Sequence, residues 1–269
     1  MLRQLSGTTR AMIFTGIAIG LALLLACLAN GVIVFYMFTP LAATLVMVLP
    51  GDRKRSIRRL ASRLGLKSLA LNYWPMALLV PVGVLLNSYA IVWGLGIARL
   101  NPPAGAAAWL SLILDNGLGL IPMMVFACGE EIGWRGYLLP CFAGLGVRRS
   151  LLLVGFIHGL WHLPVMLLTS DYHSAGNPFI TVPLFVMTLT LAGVYYGYLR
   201  LRSGSVWPAV LAHATFNQVW MTLDRMTSST APLATEYLAG ECGLLTLLAV
   251  SIIAWDLLRR LAIDPQVAR

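Results

Sequence analysis

Met12–Pro50 reads MIFTGIAIGLALLLACLANGVIVFYMFTPLAATLVMVLP, with no charged side chain and one break, at Asn30-Gly31. Each half of this stretch approaches the roughly 20 apolar residues that a helix needs to cross the hydrocarbon. A bilayer offers no partner to a bare backbone, so apolar runs of this length are expected to be helices. Leu24-Leu25-Ala26-Cys27 faintly resembles a lipoprotein cleavage site. The apolar stretch around it is longer than a usual signal core and resumes at once beyond Asn30-Gly31, so it is read as an uncleaved helix.

The pattern repeats along the chain. Apolar spans are expected near 11–29, 32–50, 72–98, 107–127, 151–169, 180–199, 206–221 and 243–258. The composition agrees: 59% hydrophobic and 11% charged, with a mean hydropathy of +0.81, where a soluble domain carries about 25% charged residues. The expectation is an all-α, polytopic transmembrane bundle of about eight helices, forming a single transmembrane domain over 1–269. Asn101-Pro102-Pro103-Ala104-Gly105, Asn177-Pro178 and Ser203-Gly204-Ser205 punctuate the spans as turns. The 222–242 stretch, rich in Thr and Ser, is either a cap or a loose connection.

A net charge of +9 could suggest nucleic acid, but the placement of the charges argues against it. With the N-terminus assigned to the cytoplasm and loops alternating, every Lys and Arg among the 19 falls on the inner side except Arg99 and Arg225. This is the positive-inside pattern. It places both termini in the cytoplasm and the basic loop Arg53 to Lys67 against anionic headgroups. The partners expected are the bilayer and a membrane-associated protein or peptide, with no nucleic acid. Short loops suggest a bacterial plasma membrane. Cys27, Cys128, Cys141 and Cys242 have no CxxC spacing and read as free thiols.

Ionisable groups inside such spans are costly and tend to mark function. Three clusters stand out between 129 and 218. In Gly129-Glu130-Glu131-Ile132-Gly133-Trp134-Arg135, Glu131 and Arg135 are four apart and can pair on one helical face, while Glu130 points about 100° away. In His158-Gly159-Leu160-Trp161-His162-Leu163-Pro164 the two histidines are also four apart. In His213-Ala214-Thr215-Phe216-Asn217 the histidine and amide share that spacing. The plain alternatives are an ion pair at a helix end, histidines satisfied by backbone carbonyls, and a polar bridge between helices. Depth favours a shared site. At 1.5 Å per residue, His158 and His162 lie roughly 12 and 18 Å in, His213 and Asn217 about 10 and 16 Å, and Glu130 roughly 13 Å. Asp115, Asn116, Asn87 and Ser88 read as packing polars, His173 as a solvated loop residue, and Asp256 as a partner for Arg259 or Arg260.

A buried carboxylate beside imidazoles can activate water, and an amide can stabilise an oxyanion. These parts suit amide hydrolysis by direct attack of water, since no Ser, Thr or Cys stands where a nucleophile would. Metal stays open: no cofactor at all, or one divalent ion such as zinc held by Glu130, His158, His162 and His213. The HxxxH here lacks the glutamate of HExxH peptidases.

Glu130-Glu131-x-x-x-Arg135, the HxxWHLP stretch and His213-x-x-x-Asn217 together resemble, in order and helical context, the three motifs of the CPBP family of CAAX prenyl protease, bacteriocin-processing and Abi-like intramembrane peptidases. Trp134-Arg135-Gly136-Tyr137-Leu138-Leu139-Pro140 and Phe38-Thr39-Pro40 are family-like as well. The resemblance implies an eight-helix fold and cleavage within or beside the membrane. It implies that Glu130 activates water with help from His162, that His213 and Asn217 hold the oxyanion, and that Glu131 and Arg135 shape the site. Trp161 and His158 stand as supporting residues. Where the family often has an aromatic residue, this chain has His158, which adds either a polar member to the site or a metal ligand. Two other classes compete: a proton-coupled transporter, against which the lack of an internal repeat counts, and a non-catalytic immunity or scaffold protein on the same fold.

Overall fold

The computed structural model describes residues 4–28, 33–49, 57–170, 172 and 176–263. The hairpin expected at Asn30-Gly31, the basic loop through Ser56, His173, Arg3 and Arg269 lie outside them.

The described chain is a helical bundle. Its helices are α1 (Gly7–Leu28), α2 (Ile33–Tyr36), α3 (Thr39–Val48), α4 (Ile57–Arg63), α5 (Trp74–Gly94), α6 (Ala106–Glu131), α7 (Leu139–Cys141), α8 (Val147–Trp161), α9 (Leu163–Leu168), α10 (Pro178–Ser203), α11 (Trp207–Arg225), α12 (Pro232–Leu238) and α13 (Leu244–Ile263). Among the described residues, five helical stretches are long and apolar enough to cross a membrane: Gly7–Leu28, Leu71–Gly94, Ala106–Cys141, Val147–Leu168 and Pro178–Ser203. A shorter apolar stretch covers Val34–Val48. Helices α11 and α13 also lie close to their expected spans, but they end in charged residues, Asp224 and Arg225 in one and Asp256, Arg259 and Arg260 in the other. The protein is therefore a multi-pass membrane protein. On α6, Leu110, Ile113, Leu118, Ile121 and Val125 all point outward, an apolar face of the kind that hydrocarbon covers and water does not.

Two expected spans are broken. The second is interrupted at Met37-Phe38 between α2 and α3, with Pro40 opening the later helix. The fifth stops at His162, because Pro164 cannot donate a backbone N–H and restarts the helix as α9. The fourth runs further than its apolar core. Beyond Glu131 the chain continues as a π-helical segment, Ile132–Leu138, and then α7. The 222–242 stretch is ordered by its own contacts. Its strand β2 (Thr227–Ser228) pairs antiparallel with β1 (Arg99–Leu100), and α12 follows.

Glycine sets the tightest contacts, as is usual between membrane helices, where small residues let backbones approach. Gly155 of α8 meets Gly193 of α10, while Gly159 lies against Val186 of α10 and Gly197 against Leu151 of α8. A Cβ on Gly155 would stand 2.4 Å from the Thr190 carbonyl oxygen, and one on Gly193 would stand 2.7 Å from the Gly155 Cα. Gly129 and Gly133 press α6 and its extension onto the α2–α3 region, where added Cβ atoms would meet the Met37 carbonyl at 2.8 Å and Pro40 at 2.5 Å. These contacts bracket Glu130 and Glu131 and fix their height in the bundle. The cysteines are free thiols, as expected. Asp256 pairs with Arg260 at 2.7 Å. Asn116 accepts from Gln218 at 3.0 Å, and Ser88 accepts from Thr246 at 3.1 Å, so these two polars do join helices.

Candidate active site

The π-helical segment carries the first motif. All of Ile132–Gly136 is buried, so the widened turn is enclosed by protein on every side, and such turns often coincide with functional sites. Arg135 donates to Glu131 Oε1 at 2.8 Å, both side chains fully buried. The same carboxylate oxygen lies 3.0 Å from His213 Nδ1. A carboxylate only accepts, so His213 donates from Nδ1, which leaves Nε2 as its second nitrogen. Tyr196 stacks on the His213 ring at 5.5 Å and lies under the Arg135 guanidinium at 5.1 Å. Helices α6, α10 and α11 are thus locked together by one buried charged knot.

Glu130 looks the other way. Its Oε2 lies 2.7 Å from His158 Nε2. Arg135 is 3.2 Å from His158 Nδ1, and a guanidinium can only donate. The proton of a neutral His158 therefore sits on Nε2 and points at Glu130. The other carboxylate oxygen, Glu130 Oε1, is buried and has no hydrogen-bond partner among the described residues. The sequence reading joined Glu130 to His162; the imidazole bonded to it is that of His158, one turn earlier. His158 is 0% exposed and packs on Trp134 at 5.2 Å between ring centres.

The helix break arranges the rest. The His162 N–H turns back to the Gly159 carbonyl, which releases the His158 carbonyl to accept from His162 Nδ1 at 3.1 Å. This fixes Nε2 as the acceptor nitrogen of a neutral His162. The Trp161 carbonyl takes the Tyr36 hydroxyl. Trp161 Nε1 donates to Thr39 Oγ1 at 2.9 Å, so the middle motif is clamped to the helices before and after Phe38.

A cavity of about 320 Å³ opens beside these groups. Glu130, His162, His213 and Asn217 all line it, with Trp161 and Tyr196 in its wall. Asn217 stands one turn along α11 from His213. The shared pocket expected of the fourth, fifth and seventh spans is thus present. Glu131, Arg135 and His158 lie behind its surface. Sequence reasoning missed Tyr36, Tyr196, Tyr172 and Glu241; of these, only Tyr36 had a neighbouring signal, in Phe38-Thr39-Pro40.

Glu130, His158 and His162 each offer a ligand atom, and these atoms lie within 4.8 Å of one another. The donors do not fit a three-ligand metal as they are arranged. His158 Nε2 carries the proton it gives to Glu130, and its other nitrogen faces a guanidinium, so neither lone pair is available.

Residues 105–219 match the family described as type II CAAX prenyl endopeptidase Rce1-like. A curated relative, CAAX prenyl protease 2 of Methanococcus maripaludis, is 28% identical over 187 residues, which cover 66% of this chain. Both matches are to CAAX endopeptidases, the group that the three motifs resemble. The match spans 64% of that relative's length. All three CPBP motifs fall inside the matched segments or at their cavity wall, on α6 with its π extension, α8 and α11.

Proposed function

We propose that the chain is an intramembrane endopeptidase that hydrolyses a peptide bond of a membrane-associated protein or peptide with water activated by Glu130. One observation carries the proposal: a buried carboxylate at a cavity wall has one oxygen held by an imidazole N–H and the other without a partner. That second oxygen is placed to take a proton from water as the water oxygen attacks the peptide carbonyl. His162, through Nε2, orients the water. The oxyanion that forms accepts from the Asn217 amide and, when His213 carries both protons, from its Nε2–H. The C–N bond then breaks as Glu130 returns its proton to the leaving amine. His158 positions Glu130, while Glu131 and Arg135 position His213. Because His158 is engaged on both nitrogens, we assign the reaction to the glutamate and not to a metal. The match to a CAAX endopeptidase family supports an endopeptidase of this kind. The Lys and Arg distribution supports both termini in the cytoplasm, and the short loops support a bacterial plasma membrane and a single transmembrane unit built around the motif core.

The test is cleavage of a fluorogenic library of apolar peptides by the purified chain in proteoliposomes. Wild type is expected to cut with the same rate before and after a divalent-metal chelator, and Glu130→Gln is expected to be inert while keeping its helical content and thermal transition. Cleavage by Glu130→Gln at the wild-type rate rejects the proposal. Loss of cleavage on chelation, restored by zinc, replaces the glutamate mechanism with a metal one.

A further inference from the structure

A second cavity, of about 300 Å³, shares no lining residue with the first and lies against the far end of the π-helical segment, at Gly136 and Cys141. Arg10 of α1 and Arg63 at the end of α4 line it, and among the described residues no Asp or Glu does. Much of the remaining wall is apolar, with Met47 and Leu64 in it. Arg10 Nε is buried and has no hydrogen-bond partner among the described residues. Buried donors are nearly always satisfied, and a charged one left without a partner is costly. Both arginines stand on seated elements. A Cβ on Gly7 would stand 2.3 Å from the Cys141 carbonyl oxygen, so the start of α1 presses on α7. Arg200 donates to the Arg63 carbonyl at 3.3 Å, and a Cβ on Gly136 would stand 3.1 Å from the Leu64 carbonyl oxygen.

Depth says what could enter. The uncharged run 11–28 follows Arg10 directly. At 1.5 Å per residue it covers about 27 Å, close to the roughly 30 Å of hydrocarbon in a bilayer. Arg10 therefore stands at the level of the lipid headgroups. A ligand suited to this cavity carries negative charge for two guanidiniums and apolar surface for the wall. Guanidiniums bind phosphate through paired N–H donors, and basic pockets between membrane helices hold anionic headgroups. We propose that this cavity is a discrete site for the phosphate of an anionic phospholipid, clasped by Arg10 and Arg63, with the start of the acyl chains on the apolar wall. It differs from the diffuse attraction expected of the basic loop, because it needs Arg10 on another helix and takes a single lipid. It is independent of the peptidase reading. A lipid seated there ties α1 and α4 to the segment that continues from Arg135.

The experiment titrates the full-length chain in an uncharged detergent with dioctanoyl phosphatidylglycerol, dioctanoyl phosphatidylcholine or inorganic phosphate, at about 0.15 M salt, which screens diffuse attraction. Phosphatidylglycerol is expected to saturate at one lipid per chain. It is expected to bind at least about tenfold more tightly than phosphatidylcholine, which has no net charge, and than inorganic phosphate, which has no apolar part. Arg10→Gln and Arg63→Gln are each expected to lower the phosphatidylglycerol-to-phosphatidylcholine ratio by at least about threefold, and the double variant to bring it to about one. Arg149→Gln, which removes an exposed arginine outside the cavity, is expected to leave the ratio unchanged. The wild-type titration alone can decide against the inference, whatever the folding of the variants: equal binding of the two lipids overturns it. Inorganic phosphate binding as tightly as phosphatidylglycerol overturns the lipid assignment in favour of a free anion. An equal loss in Arg149→Gln and Arg10→Gln also overturns it, by returning the attraction to the surface as a whole.

Discussion

The two sides of α6 at its first motif use the same residue types to opposite ends. On one side Glu131 Oε1 takes both Arg135 and His213, with Tyr196 packed over both, and the carboxylate lies behind the cavity surface. On the other, Glu130 has a single imidazole partner, His158, and keeps one oxygen unpartnered beside a cavity. A buried carboxylate tied to a cation and to a second helix holds helices together. A buried carboxylate with an open oxygen and a cavity beside it can do chemistry. On the proposed mechanism, the conspicuous ion pair of the motif is scaffold and its quieter neighbour is the reactive group.

The comparison breaks most sharply at Glu130. Glu130→Gln is expected to lower cleavage by about 10²–10⁴-fold, the range for a general base, with no fall in thermal stability. A variant that loses both together would place Glu130 in the scaffold. Arg135→Met should do the reverse, leaving Glu131 buried and short of its cation at a cost of about 3–5 kcal/mol. Thermal unfolding in detergent reads this as a lower transition or a loss of folded yield. An Arg135→Met chain that unfolds like wild type but cannot cleave would move Arg135 to the reactive side.

The glycine seam beneath both sides comes next. Gly155→Val must push α8 off α10, since its first carbon would sit within contact of the Thr190 carbonyl. The expected loss is about 1–3 kcal/mol, as for other overpacked interiors, read in the same unfolding experiment; equal stability would mean the seam yields freely. The smallest effect belongs to the exposed pair near the C-terminal end of α13. Asp256→Ala should cost no more than about 0.5 kcal/mol, and a larger change would reveal that this pair takes part in docking the last helix.

Local rules made the scaffold side legible from sequence. Glu131 and Arg135 are four apart, and that spacing alone predicts their bond. The repeated spacing of four and the estimated depths also brought Glu130, His162, His213 and Asn217 to one pocket. What escaped was set by the relative rotation of helices. Whether His158 or His162 reaches Glu130 depends on how Gly155 and Gly193 seat α8, and on the break that Pro164 imposes just after His162. Tyr196 carries no motif at all; it matters because of what packs beside it. The helix count was legible where the apolar core of a helix is long and uncharged, as over 11–28 in α1 and 178–199 in α10. It blurs at α11 and α13, whose ends are charged, and at the second span, which Phe38 and Pro40 break in two.

A π turn is an α-helix that has accepted one extra residue. Within Ile132–Leu138, removing a single residue to restore ordinary winding would shift side chains inside the widened turn by up to about 100° relative to Glu130 and Glu131. Trp134 and Arg135 would then leave their partners at once. A one-residue deletion within this segment should therefore be tolerated far less well than a conservative substitution at the same positions.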